Sequence, residues 1–100
     1  MMLEPISSLS REWIPFFVRG ASGTEMVKIA FTAPGAEPVE DDWHDAEWNP
    51  ASVTAHGADA RILFGPGGTT SRSEGTYQAW VRVIAPPQQP VLPAGLIYVV

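Results

Sequence analysis

Short alternating segments, closed off by glycine or proline, are the feature that most restricts the fold of this chain. In the clearest of them, residues 76–84, Tyr77, Ala79, Val81 and Val83 fall on one face of an extended strand, opposite Trp80 and Arg82. Another segment, residues 96–100, closes the sequence. Ten prolines and nine glycines punctuate the chain, and no stretch supports a helix of more than a turn or two. The pattern therefore predicts an all-β protein with turns about every ten residues.

The remaining segments predict the size of the sheets. Extended segments are expected at residues 13–19, 25–32 and 60–64, with a shorter one around Val53. Pro15 places the first at a sheet edge or a bulge, because proline cannot donate a hydrogen bond to a neighbouring strand. The spacing predicts a small immunoglobulin-like β-sandwich of five to seven mostly antiparallel strands. The likeness is architectural, since the cysteine–tryptophan–cysteine set of antibody domains is absent.

A chain of 100 residues is expected to form one domain with one modest core. We predict a single sandwich domain over residues 1–100, in which residues 1–10 form an arm or an edge strand. Five residues with period-two spacing are predicted to belong to the core: Val27, Ile29, Phe31, Tyr77 and Val81.

Composition argues against several classes of partner. The chain has no cysteine, which excludes a disulfide scaffold and fits a reducing compartment. Its net charge is −5 at pH 7, and its basic residues are scattered, whereas binding to a phosphate backbone needs clustered lysine and arginine. No window approaches the roughly 18 to 20 apolar residues of a membrane span, and the first residues do not resemble a signal peptide. Neither a nucleic acid nor a membrane is expected as a partner.

The connection at residues 37–48 combines six of the eleven acidic residues with Trp43, His44 and Trp48. Hard cations bind several carboxylate oxygens, so a calcium site is one interpretation, but the spacing of an EF-hand and its central glycine are missing. A second interpretation, which we favour, is a solvated loop whose two tryptophans cap one end of the sandwich. A third is an interface, in which exposed tryptophan beside carboxylates docks against a basic partner. No metal site is predicted.

No group of residues predicts catalysis. The glycine-rich run at residues 65–68 follows a strand, but a phosphate-binding loop also needs a helix and a lysine followed by serine or threonine. We interpret the run as a hairpin connection. His44 and His56 are the two histidines, and neither lies in a pattern typical of a nucleophilic triad. We therefore predict no enzymatic activity, no catalytic residue and no cofactor.

Trp80 lies on the less regular face of its segment and has two interpretations, a core residue or an interface anchor. Both faces of this segment are rather apolar, which indicates that a neighbouring subunit covers one of them. The predicted interface residues are Trp43, His44, Trp48, Trp80, Tyr98 and Val100.

Five segments carry a resemblance to a known group of proteins: VKIAFT (27–32), DWHDAEW (42–48), ILFGPGG (62–68), GTYQAWVRV (75–83) and PVLPAGLIYV (90–99). Together they resemble small virion structural proteins of tailed bacteriophages of actinobacteria, encoded among the head and head–tail assembly genes. The resemblance covers about residues 12–100 and is carried by spaced tryptophan, glycine and proline. The connection at residues 86–90 is less acidic than is usual in that group.

The resemblance implies a non-enzymatic structural component of the phage particle, packed in multiple copies at the capsid or the head–tail neck. Its partners would be capsid or neck subunits and further copies of itself. It would reside in the virion after assembly in the host cytoplasm. The alternative is a β-sandwich module that binds carbohydrate or protein through the acidic tryptophan connection, and a small metal-dependent enzyme around His44 and Asp45 is a third hypothesis.

Overall fold

The structure is a computed structural model that describes residues 4–100, and it has two β-sheets packed face to face. Seven strands contribute: β1 (Glu12–Arg19), β2 (Met26–Thr32), β3 (Trp43–Asp45), β4 (Glu47–Trp48), β5 (Gly57–Phe64), β6 (Gly75–Ile84) and β7 (Val91–Val99). Two short 3-10 turns, Glu40–Asp42 and Pro50–Ser52, are the helical elements of the described residues. The predicted all-β sandwich is confirmed.

The order of the strands is immunoglobulin-like. One sheet has the order β1-β5-β4 and the other the order β3-β2-β6-β7, and neighbouring strands in both are antiparallel. In the nomenclature of immunoglobulin domains these are strands B-E-D and C′-C-F-G. β1 and β7 therefore lie on one side of the sandwich, and β3 and β4 lie on the other.

The core lies between the sheets and is built from alternate residues of the long strands. Ile14, Phe16 and Val18 of β1 face inward against Val27, Ile29 and Phe31 of β2, and the register partners in β5 and β6 complete the layer. Val27, Ile29, Phe31 and Val81 are buried as predicted, and Tyr77 is half-buried against them. The rings of Phe31 and Phe64 meet edge to face, 5.2 Å between centroids.

Tyr77 forms a tyrosine corner at the start of β6. Its hydroxyl donates a 2.8 Å hydrogen bond to the carbonyl oxygen of Ser73, four residues upstream. Immunoglobulin-like domains use this contact to fix the connection that enters strand F. The corner is present although the chain has none of the cysteines that usually accompany it.

The lead-in to β1, described from residue 4 onward, runs beside the end of β7. Ile6 lies parallel to Val99, and its backbone N–H donates to the carbonyl oxygen of Tyr98 at 2.8 Å. The backbone N–H of Ser8 donates to the carbonyl oxygen of Val100 at 2.7 Å. The side chain of Ile6 is buried in the core. The predictions for Met1 to Leu3 lie outside the described residues.

Three predicted local structures were wrong. The segment around Val53 is a 3-10 turn followed by a tight turn from Thr54 to Gly57 rather than a strand, because Pro50 begins a helical turn that the Asn49 side chain caps at 3.2 Å. The connection at residues 37–48 contains β3 and β4. The run at residues 65–68 makes a tight turn, with Gly68 N–H donating to Gly65 at 2.9 Å, but it links strands of different sheets, so it is not a hairpin.

β7 begins at Val91, well before the predicted residue 96, although Pro93 interrupts it. The register between β6 and β7 shifts by one residue, so that Ala79 is opposite Gly95 and Trp80 is opposite Pro93. Ala94 is thus the extra residue of a β-bulge, and a proline is accommodated in a strand at such irregular or edge positions.

Gly65 and Gly57 hold the two ends of β5 close to neighbouring backbone. Gly65 has a φ of 123°, and a Cβ there would clash with the carbonyl oxygen of Ser10. Gly57 has a φ of 149°, and a Cβ would clash with the carbonyl oxygen of Val18. These close approaches let the lead-in and β1 lie against β5.

Candidate interaction surfaces

The outer face of the four-stranded sheet carries a row of uncharged residues that includes two tryptophans. The register places Trp43, Ala30, Trp80 and Pro93 side by side across β3, β2, β6 and β7. Ala30 has no exposed surface, because the larger side chains on either side cover it. Trp80 donates from Nε1 to the Thr32 hydroxyl at 3.1 Å, which fixes its ring on the sheet. The face therefore presents a flat aromatic row to its surroundings.

The charges on this outer face are paired with one another. Arg82 donates to both carboxylate oxygens of Glu40 at 3.3 Å, and its guanidinium lies 4.6 Å from the centre of the Trp43 ring. Lys28 lies 3.1 Å from Asp45. The Arg82 side chain is buried, although Glu40 is largely exposed. The face thus has few uncompensated charges near its centre, which is typical of the central part of a protein interface.

Trp48 is a core residue, which corrects its place among the predicted interface residues. Only 8% of it is exposed, and its indole Nε1 donates a 2.7 Å hydrogen bond to the carbonyl oxygen of Glu25. The change of sheet between β3 and β4 explains the difference, since Trp48 pairs with Ala60 in the three-stranded sheet and is buried in the core. Trp43 and Trp48 therefore do not form a common surface.

Glu25 organises the turn between β1 and β2 and supports Trp48. Its carboxylate accepts hydrogen bonds from the N–H groups of Ser22 and Gly23 and from the Ser22 hydroxyl, at 2.9–3.2 Å. Burial raises the pKa of Glu25, but these hydrogen bonds outweigh burial and hold its pKa below the ordinary value. No motif in the sequence predicts this role.

His44 is half-buried at the edge of the sandwich rather than on the aromatic row. It pairs with Ile29 and so lies on the core-facing side of β3. Burial and the nearby Arg72 lower its pKa, against the opposing effect of Asp42 and Asp45. His44 and Asp45 point to opposite faces of β3, so the arrangement does not resemble a catalytic or metal-binding pair.

The acidic connection is ordered by its own hydrogen bonds. Asp42 accepts from the Val39 N–H at 2.8 Å across the turn Glu40–Asp42, and Glu40 is held by Arg82. Glu37, Asp41 and Asp45 are exposed. Among residues 4–100, no three histidine, aspartate or glutamate side chains come together as a cluster that could hold a metal ion.

Tyr98 and Val100, the last two predicted interface residues, lie at the end of β7 beside the lead-in. Tyr98 is half-buried on the outer face, opposite Thr76. Val100 is 59% exposed, and its backbone N–H donates to Ile6 at 2.8 Å. The backbone at this end of β7 is thus already paired within the chain.

A second apolar surface, on β1, was missed by the sequence analysis. Trp13 and Phe17 face outward and are 45% and 54% exposed, with exposed Pro15 between them. Arg61 lies 4.3 Å from the centre of the Trp13 ring and 3.5 Å from Glu47. The alternation of β1 could have revealed this surface, because Ile14, Phe16 and Val18 form a complete core face without Trp13 and Phe17.

A groove of about 340 Å³ lies next to this surface, between β1 and β7. Its lining includes Pro15, Phe17 and Val18 on one side and Leu92, Pro93 and Ala94 on the other. Leu92 is 43% exposed at the rim. The groove follows the side of the sandwich where, within residues 4–100, no strand bridges the two sheets at the level of Phe17 and Leu92.

Comparison with protein-family models, curated proteins and solved structures gives no match for this chain. Within residues 4–100 no helix has the length and apolar character needed to cross a membrane.

Proposed function

We propose that this chain is a non-enzymatic structural component of a tailed bacteriophage particle, present in multiple copies at the capsid or the head–tail neck. The observation that carries the proposal is the aromatic row Trp43–Ala30–Trp80–Pro93 on the outer face of the four-stranded sheet. The resemblance of five segments to small phage structural proteins supports the same role.

The outer face supports a packing role because of its composition. An antiparallel sandwich usually turns polar residues outward on the face that meets water. Here the outward residues of β6 and β7 include Trp80, Ile84, Leu96 and Tyr98, and the arginine and lysine of this face are already paired with carboxylates. Such a face suits a capsid or neck subunit as its partner, with exposed carboxylates such as Asp41 meeting basic groups at the rim.

The alternative, a module that binds through the tryptophans of the acidic connection, required Trp43 and Trp48 on one surface. Burial of Trp48 leaves Trp43 without that neighbour. A packing role does not require Trp43 and Trp48 on one surface, because the whole outer face of the four-stranded sheet makes the contact. No observation favours a carbohydrate ligand over a protein partner, so the packing role is the function we propose.

The test is incorporation into particles. A phage that lacks the gene is complemented with wild-type protein, with Trp80→Glu, or with Val53→Glu, which places the same charge at an exposed site on the turn after Pro50–Ser52. We expect Trp80→Glu to reduce the amount of protein in purified particles at least tenfold and Val53→Glu to leave it unchanged. Circular dichroism of the purified variants checks that both fold. Wild-type occupancy by folded Trp80→Glu would refute a packing role for this face.

A further inference from the structure

We propose that the outer face of the three-stranded sheet binds an arginine side chain of another protein subunit, between the ring of Phe17 and the carboxylate of Asp59. Phe17 of β1 and Asp59 of β5 are direct partners in the antiparallel register, and both side chains lie on the outer face. This face belongs to the sheet opposite the aromatic row. The inference therefore goes beyond the packing role proposed above and does not rest on it.

The chain builds the same arrangement twice with its own arginines. Arg61 lies 4.3 Å from the centre of the Trp13 ring and 3.5 Å from a carboxylate oxygen of Glu47. The second is the contact of Arg82 on the other sheet, whose guanidinium lies 4.6 Å from the centre of a tryptophan ring and 3.3 Å from a glutamate oxygen. In both, the face of the ring and the carboxylate attract the cation together.

Phe17 and Asp59 supply a ring and a carboxylate but hold no arginine. Phe17 is 54% exposed, and its ring rests against Gly57, where an added Cβ would come within 2.9 Å of the ring. The Asp59 carboxylate makes no hydrogen bond or ion pair among residues 4–100. Directly opposite residues of an antiparallel pair have Cβ atoms about 5 Å apart, so one guanidinium can contact both side chains.

The backbone on both sides of this site is fixed. The N–H of Asp59 donates to the Ser52 hydroxyl at 2.8 Å, and its carbonyl oxygen accepts from the Asn49 N–H at 2.9 Å. Phe17 is held by the pairing of β1 with β5 and by the contact of its ring with Gly57. A site built on paired strands loses little conformational freedom when a ligand binds.

Arg19 is the arginine of this chain that lies nearest along β1, two residues beyond Phe17 and opposite Gly57. It is exposed and pairs with no carboxylate of the described residues. Its guanidinium also lies over no aromatic ring in residues 4–100. The site between Phe17 and Asp59 is therefore without a cation from the described part of the chain.

The surroundings of the site favour an arginine on a basic partner. Exposed Trp13 and Pro15 lie on the same face of β1 as Phe17, so apolar groups beside the arginine also find contacts. A guanidinium is planar and can stack on a ring while it donates to a carboxylate, which suits this pair better than the compact ammonium of lysine. The net charge of −5 attracts a basic surface and repels a second copy of the chain.

The test is a nuclear magnetic resonance titration of the isotope-labelled full chain. The probe is a short peptide, capped at both ends, that carries one arginine between two leucines. The control peptide has citrulline in place of arginine, which keeps the planar shape and removes the charge. We expect saturable shifts of the Phe17 and Asp59 amides with a dissociation constant of about 1 mM, and binding of the citrulline peptide about fivefold weaker or less.

Two variants separate the ring from the carboxylate. Asp59→Asn and Phe17→Leu should each weaken binding of the arginine peptide about fivefold. Glu37→Gln is the matched control, because it also removes one exposed carboxylate but lies in the acidic connection, and it should bind like the wild type. Circular dichroism and thermal unfolding check that the three variants are folded.

Several results would overturn the inference. One is the absence of saturable shifts at Phe17 and Asp59 up to about 10 mM peptide, and another is equal affinity for the arginine and citrulline peptides. Binding that appears only in Arg19→Gln would show that Arg19 fills the site in the wild type. Self-association of the wild type that Asp59→Asn abolishes would assign the site to a second copy. None of these outcomes bears on Trp80→Glu incorporation, so the particle role is judged separately.

Discussion

At the scale of the residue, several side chains fix the sandwich by bonding to the backbone of another segment. The Tyr77 hydroxyl reaches Ser73, and the Trp48 indole reaches Glu25. Two arginines repeat one arrangement, since Arg61 and Arg82 each lie between a tryptophan ring and a carboxylate. Each covers the outer face of a different sheet with its long apolar stem.

The tyrosine corner predicts a measurable loss of stability. Tyr77→Phe keeps the ring against the core but removes the hydrogen bond to Ser73, so we expect the free energy of unfolding to fall by about 1 kcal/mol. Urea denaturation measures the change. Tyr98→Phe is the control, because the Tyr98 hydroxyl makes no hydrogen bond within residues 4–100, and it should change stability little. Equal losses in the two variants would show that the corner is not the cause.

The lowered pKa of Glu25 leads to a prediction of how the free energy of unfolding depends on pH. Its pKa is lowered in the folded chain, so its contribution is complete above the unfolded pKa of about 4.3 and is lost as pH falls through the folded pKa. We expect the unfolding free energy of the wild type to decrease below about pH 4.3. Glu25→Gln should be less stable at pH 7 and should show a smaller decrease on acidification. Parallel pH profiles for the two proteins would contradict this assignment.

At the scale of the element, the ends of β7 are protected in different ways. Backbone hydrogen bonds with Ile6 and Ser8 pair the end of β7 near Val100. Pro93 and the bulge at Ala94 make the other end unsuitable for pairing with a further strand. The edge of β7 at residues 98–100 is therefore paired within the chain. The side chain of Ile6 also closes the core at this corner.

The lead-in is thus predicted to contribute to the stability of the sandwich. Ile6→Ala removes buried apolar volume, so it should cost about 2 kcal/mol of unfolding free energy. Leu9→Ala, at a site 87% exposed, should cost nearly nothing. Hydrogen exchange should also show faster exchange of the Val100 amide in Ile6→Ala. An unchanged unfolding midpoint for Ile6→Ala would mean that the lead-in is not part of the cooperative unit.

Strands with a regular alternation of apolar residues were predicted correctly from the sequence. Segments whose structure depends on several short contacts were predicted poorly. Alternation located the core faces of β2 and β6, because a buried face leaves little freedom of register. Pro93 hid the first half of β7, since a bulge depends on the partner strand. Trp48 was misplaced because β3 and β4, three and two residues long, lie in different sheets and are too short to show a periodic pattern. Trp13 and Phe17 were visible in the alternation, but the groove beside them depends on packing between sheets.

At the scale of the whole molecule, apolar and acidic surfaces lie on different sides. The acidic residues collect beside β3 and β4, the exposed aromatics Trp13 and Phe17 lie on β1, and the aromatic row crosses the outer face of the four-stranded sheet. The proposed packing role uses the aromatic row on the outer face of the four-stranded sheet. This distribution is the physical basis of the proposed role in a particle.

The number of copies in purified phage particles tests this role most directly. Quantitative mass spectrometry of particles purified by density gradient, with the major capsid protein as internal standard, gives the ratio of this chain to the shell subunit. The account predicts a fixed ratio that corresponds to several copies or more per particle and that survives a high-salt wash. Absence of the chain from infectious particles, or a trace amount that the wash removes, would contradict it.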